Sequence, residues 1–140
     1  MEYANIALID TIGRVCVHKT DRVNDSMYSV TTDLFIDKEG HALDEAIKEL
    51  STVVGISPSA LLNSSKITKR KEVENFCRIL RNKRIHLFVC QIMKNTSIKI
   101  DKSVGDIRFV HVDVVSNMLK ENKINMNMYG KEMIKFIKQK

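Results

Sequence analysis

The spacing of apolar positions changes period several times along this chain. Residues 4–9 (Ala-Asn-Ile-Ala-Leu-Ile) and 14–19 (Arg-Val-Cys-Val-His-Lys) are short apolar runs separated by Asp10-Thr11-Ile12-Gly13. Two runs divided by an Asp/Gly turn predict a pair of strands. Residues 28–36, with Val30, Thr31 and Thr32 followed by Leu34, Phe35 and Ile36, predict a third strand from their β-branched enrichment. The period then lengthens. Leu43, Ala46, Ile47, Leu50, Val53 and Val54 recur at the i, i+3, i+4, i+7 spacing of one buried helical face, which predicts a helix over 42–54. Asp44 and Glu45 fall in its first turn, where the positive end of the helix dipole favours acids. Gly55 follows the last periodic residue and can take the left-handed conformation that stops a helix. Pro58 is expected to prevent a restart at that point.

Further on, residues 85–92 (Ile-His-Leu-Phe-Val-Cys-Gln-Ile) form a near-continuous apolar run, as in a central strand covered on both faces. Residues 107–112 alternate and predict another strand; helices are predicted over 113–122 and 130–138. Residues 66–82 read two ways. Val73, Phe76, Cys77 and Leu80 have helical spacing, whereas a strand there would feed the run at 85–92. The order of elements implies a single α/β domain over residues 1–140: a mixed sheet with helices on both faces.

Composition narrows the class. A chain of 140 residues with 44% hydrophobic and 29% charged residues suits one globular domain with a sizeable core. No apolar run approaches the ~20 residues of a membrane helix, and the first residues lack the pattern of a secretory signal. A cytoplasmic protein with no membrane partner is the expectation. Cys16, Cys77 and Cys90 are widely spaced and form no C-x-x-C pair, which argues against a disulfide framework or a structural zinc site and for buried, inert thiols. The net charge of +6 suits an anionic partner, either a nucleotide or RNA. Abundant Lys, Asn and Ile would also arise from an AT-rich coding sequence.

The stretch from Asp44 to Ile56 (Asp-Glu-Ala-Ile-Lys-Glu-Leu-Ser-Thr-Val-Val-Gly-Ile) resembles the second half of a Nudix box, G-x5-E-x7-R-E-U-x-E-E-x-G-U, where U is bulky and aliphatic. Gly55 and Ile56 match the final pair, Leu50 the inner U and Glu49 the Glu before it. Lys48 stands in place of Arg, and Thr52 and Val53 in place of Glu-Glu; upstream, Leu34 falls on the opening Gly and Gly40 on the first Glu. The strand-turn-strand of residues 7–17, Tyr28 before the box, the strand from Gly105 to Asp113 and the closing helix around Tyr129–Ile137 are similar to Nudix domains in the same order. The resemblance implies a Nudix-type α/β/α sandwich with a mixed sheet and a central box helix, and it puts strands rather than a helix within residues 66–82.

It also implies a chemistry. Nudix enzymes are hydrolases (pyrophosphatases) that cut a diphosphate linked to another moiety with magnesium, Mg²⁺, or its substitute Mn²⁺, held by box carboxylates. Here Glu49 alone occupies such a ligand position, so the box is degenerate. Glu45, one turn earlier, and Asp106, before a late strand, are the acids from which a metal site with Glu49 would be rebuilt. Lys48 stands where the family's Arg orients the following Glu, without the guanidinium's planar fork. The plainer alternative makes Glu45 and Glu49 a solvated face with Lys48 as their charge partner. His41 precedes the helix as a further candidate base or ligand. The basic run Ser64-Ser65-Lys66-Ile67-Thr68-Lys69-Arg70-Lys71 offers Lys69 and Arg70 as phosphate-binding groups, against a plain solvated loop. An isopentenyl diphosphate isomerase is rejected because residues 28–41 contain no Cys. The readings carried forward are a pyrophosphohydrolase with weak or lost activity, a non-catalytic module that binds nucleotide, RNA or protein, and a purely structural subunit of a larger assembly.

Overall fold

In the computed structural model, the described residues are 2–19, 27–31, 34–36, 41–74, 84–94, 96, 107–126 and 128–139. They form strands β1 (Glu2–Ile9), β2 (Arg14–Lys19), β3 (Met27–Ser29) and β4 (Leu34–Ile36), helices α1 (Ala42–Val54) and α2 (Pro58–Ser64), strands β5 (Ser65–Glu74), β6 (Arg84–Ile92) and β7 (Ile107–His111), helix α3 (Val112–Lys120), strand β8 (Asn125–Met126) and helix α4 (Met128–Lys138).

Asp10 builds the first turn. Its Oδ1 accepts from Ile12 N (3.1 Å) and Arg14 N (2.7 Å), and its Oδ2 pairs with Arg14 Nε at 2.7 Å. Gly13 supplies the positive φ (85°) that the turn needs. The β1–β2 pairing registers at Ile9↔Val15, and beyond it the two strands splay. On the far part of β1, β4 takes the edge in antiparallel register (Glu2↔Ile36 to Ala4↔Leu34), while β3 joins β2 at His18↔Ser29. Thr31 sits in the fork and donates its hydroxyl to Ile6 O at 3.0 Å. The other edge of β1 carries β6 in parallel, Glu2↔Arg84 through Ile9↔Gln91, and β5 closes that end antiparallel to β6. The other edge of β2 carries β7. The sheet is mixed, as expected.

Its two faces have separate cores. Alternation along β1 and β6 sends Ala4, Ile6, Leu8, Phe88, Cys90 and Ile92 toward α1, where Ala46, Ile47, Leu50, Val54 and the Leu61 of α2 meet them. Ala7, Ile9, Leu87 and Val89 face the opposite way, against Val115, Met133, Ile134 and Phe136 of α3 and α4. Each fully buried Ile, Leu, Val or Phe contributes about 1.5–3 kcal/mol relative to exposure. Burial on both faces explains why residues 85–92 read as one continuous apolar run.

Three expectations are corrected or resolved. Residues 28–36 are two short strands, because the fork gives β3 and β4 different partners. Residues 65–74 are strand β5, not helix, with a bulge between Ile67 and Lys69; residues 75–83, including Cys77, lie outside the described residues. Pro58 does not prevent a helix; it begins one. It sits in the first turn of α2, where its missing N–H would have had no partner, and Ser57 Oγ accepts from Ala60 N at 3.3 Å.

Candidate functional site

Helix α1 spans 13 residues and ends on Gly55 at φ 71°, with the N–H groups of Gly55 and Ile56 both donating to Ser51 O. Ala42, Ala46, Ile47, Leu50 and Val54 define the arc pressed on the sheet. Helical spacing places Glu45, Glu49, Thr52 and Val53 along one flank of that arc. Glu49 is half-buried, as is Val53, which packs against the core, while Thr52 is exposed. Glu45 Oε1 lies 3.5 Å from Lys48 Nζ, an exposed ion pair of the kind that contributes about 0.2–1 kcal/mol. Lys48 is thus drawn to Glu45 rather than to the Glu49 that follows it. The Thr52 hydroxyl donates to Lys48 O at 3.2 Å, back into its own helix.

The donor chemistry can be tested against a divalent cation. Magnesium needs hard, preferably anionic oxygens. On this flank two carboxylates are present, one already paired with an ammonium; the third position is a neutral hydroxyl and the fourth a hydrocarbon. Among the described residues, no three His, Cys, Asp or Glu converge in a way that would hold a metal ion. Asp106, with Glu39 and Gly40 of the preceding loop, lies outside the described residues. The described flank therefore does not fit the magnesium site of a complete box.

The other candidates are dispersed. His41 occupies the N-cap position of α1 but makes no side-chain capping bond, and it is exposed. Lys69 and Arg70 point to opposite faces of β5. Lys69 Nζ donates to the carbonyls of Phe136 (3.3 Å), Ile137 (2.9 Å) and Gln139 at the end of α4. Arg70 lies over the Phe88 ring, 5.6 Å from its centroid, on the α1 side, with Glu72 at 3.9 Å. Tyr28 belongs to the core beneath α3 and α4. A cavity of about 490 Å³ at the ends of β1 and β6 is lined by Thr11, Gly13, Lys66, Gln91, Met93 and Lys94, without a residue of α1.

Buried titratable groups follow their surroundings. Burial pushes the Cys16 thiol up to about 12. Burial also raises Cys90, partly offset by its contact with Ser65 Oγ at 3.0 Å. Both are thiols at neutral pH. Sequence reasoning passed over His18, whose buried imidazole is held below its ordinary range by desolvation, against hydrogen bonding to the backbone of Lys19 and Thr31.

The forked mixed sheet, with α1 and α2 on one face and α3 and α4 on the other, is found in solved structures. A Nudix hydrolase from M. smegmatis, RenU, superposes with a TM-score of 0.67 at 8% identity, over 97% of this chain and 83% of that one. The chain has the Nudix fold. DR0079 from Deinococcus radiodurans (TM-score 0.62, 13% identity, 99% and 82% covered) and a C. elegans Ap4A hydrolase in binary complex (0.59, 8%, 96% and 94%) share it. No family model and no curated protein matches the sequence. In this Nudix-fold chain the apolar arc of α1 packs the helix on the sheet and Gly55 stops it.

Proposed function

We propose that this chain is a Nudix-fold protein of the nucleoside-diphosphate-linked-moiety hydrolase class, with a degenerate box and weak or lost pyrophosphohydrolase activity. One observation carries the reading: the flank of α1 carries Glu49, with Glu45 one turn before it, but presents Thr52 and Val53 where the resemblance calls for further acids. The loss of two carboxylates weakens the hold on Mg²⁺ or Mn²⁺ and with it the means of neutralising charge on the diphosphate. The likeness to an Ap4A hydrolase and to other Nudix proteins supports a nucleotide-derived ligand as the substrate class. Lys48 in this reading holds Glu45 rather than touching substrate.

A second reading, a binding module without turnover, is favoured by the flank of α1, where Thr52 and Val53 offer a cation no anionic oxygen. The two are separated by phosphate release from a panel of dinucleoside polyphosphates, nucleoside diphosphate sugars and nucleoside triphosphates, with calorimetric titration of the same ligands. Turnover that requires Mg²⁺ and falls at least tenfold in Glu49→Gln supports the hydrolase. Saturable binding of nucleotide or of a short RNA without turnover supports the module. Absence of both removes the nucleotide from the account.

A further inference from the structure

Helices α3 and α4 lie on the face of the sheet opposite α1, and a groove of about 430 Å³ runs between them. Its apolar surface comes from Leu119, Met128 and Ile134, and its rim from Lys120, Lys131 and Lys135. Met128 is 42% exposed, and Val114 on α3 is 49% exposed. The charges on this face are not evenly satisfied. Lys135 pairs with Glu132 at 3.2 Å, Lys123 with Glu121 at 2.9 Å, and Lys138 reaches Asp113 at 4.0 Å and Ser116 Oγ at 3.2 Å. Lys120 and Lys131, both exposed, have no carboxylate within 4 Å among the described residues. Three ammonium groups therefore surround an apolar floor that holds the single carboxylate of Glu132.

We propose that this groove docks an acidic amphipathic helix of a protein partner. The Lys138–Asp113 approach sets the end of α4 beside the start of α3, so the helices run antiparallel and their facing residues form a seam. The lining stretch of α4, from Met128 to Lys135, spans ~11 Å at 1.5 Å per residue. That length takes two turns of a third helix laid along the seam, with apolar anchors at i, i+3 or i+4, and i+7. Glutamates or aspartates flanking those anchors complement Lys120 and Lys131. A nucleic acid is a poorer occupant, because no aromatic side chain lines the groove to stack a base. The proposal concerns the face away from α1 and stands whether or not the chain hydrolyses anything.

The test uses the full chain and a fluorescein-labelled synthetic peptide of about fifteen residues, with leucines at helical spacing and glutamates beside them. Fluorescence anisotropy is expected to give saturable micromolar binding that weakens with salt, and amide shifts confined to α3, α4 and their connection. Lys120→Glu with Lys131→Glu is expected to weaken binding tenfold or more, as is Met128→Asp; these positions are exposed, and unchanged melting temperatures verify folding. Lys131→Gln alone is expected to give a smaller loss. A scrambled peptide of the same composition is expected not to bind. Binding by the scrambled peptide equal to that of the ordered one, a double variant within twofold of wild type, or no binding at millimolar peptide overturns the proposal. So does association with phosphatidylglycerol vesicles that Met128→Asp abolishes while the peptide fails to bind, since the groove would then be a lipid contact.

Discussion

Replacing Lys69 by Met should destabilise the protein without altering any nucleotide site. The Lys69 ammonium lies at the C-terminal end of α4, where the last carbonyls of a helix lack intrahelical donors. It donates to two of them, Phe136 at 3.3 Å and Ile137 at 2.9 Å, and to the carbonyl of Gln139 just past the helix, and its Nζ sits 5.7 Å from the centre of the Phe136 ring. Met keeps most of the apolar stem and removes the charge and the donors. A hydrogen bond from a charged group contributes about 1.5–3 kcal/mol, and a cation at a helix C-terminus about 0.3–1 kcal/mol at the surface. The three contacts share one partly solvated ammonium and do not add, so the expected loss is about 2 kcal/mol, or roughly 6–10 °C in Tm. Lys71 is the internal control: its Nζ lies 6.0 Å from the same ring and, among the described residues, donates to no carbonyl. Lys71→Met should fall within about 0.5 kcal/mol of wild type. Urea and thermal unfolding of the two variants give the comparison. If Lys69→Met and Lys71→Met are equally mild, the clamp on α4 does not exist. If Lys69→Met leaves stability intact and lowers nucleotide affinity, the residue belongs to a ligand site instead.

The remaining predictions concern buried groups. Desolvation lowers the folded pKa of His18 below its ordinary value of 6.5, so on acidification the unfolded chain takes up a proton first. Its contribution is complete above 6.5 and is lost as pH falls through the folded value. The urea midpoint should decline below 6.5 in wild type and decline less in His18→Gln; equal slopes would show that His18 is not the titrating group. Cys16 and Cys90 should resist Ellman's reagent at pH 8 in the native protein and react fully in urea, because burial keeps both protonated. Labelling of either at the rate of the unfolded control would contradict the two-faced core.

The fold was legible where apolar residues alone dictate an element. The run at 85–92 announced a strand covered on both sides, and the six apolar positions of residues 43–54 announced α1 to within a residue. Legibility failed where a partner distant in sequence decides. Strand β5 is an edge strand, and alternation along it is carried by the stems of lysines and an arginine lying over Phe136 and Phe88. Such stems cover apolar surface while counting as polar in any pattern. Of the four residues with helical spacing only Val73 falls in this strand; Phe76, Cys77 and Leu80 lie outside the described residues. The division of 28–36 depends on the splay of β1 and β2, which no local signal encodes. Pro58 was read by its general dislike of helix interiors, although Ser57 before it is a favoured N-cap residue.

The candidate site divides along the same line. Lys69 looked like a phosphate ligand because its partners are carbonyls 67 and more residues away, invisible to local spacing. On α1, by contrast, the apolar arc read from the sequence is the one pressed on the sheet, widened by the buried Ser51, whose hydroxyl donates to Ile47 O at 2.8 Å. The arc and its flank answer to different demands. Ala46, Ile47, Leu50 and Val54 hold the helix on the sheet and tolerate little change without a cavity. Thr52 is solvent-facing, and Val53 packs on the core where a carboxylate would have to be desolvated or neutralised by a cation. In the proposed reading, Val in place of an acid at position 53 adds to the stability of the helix on the sheet while subtracting from cation binding. On that reading the metal grip is lost without weakening the helix, so an intact α1 core carries no information about whether catalysis persists. That information resides in the flank itself, in whether Glu49 and Glu45 find a third anionic oxygen beyond the helix.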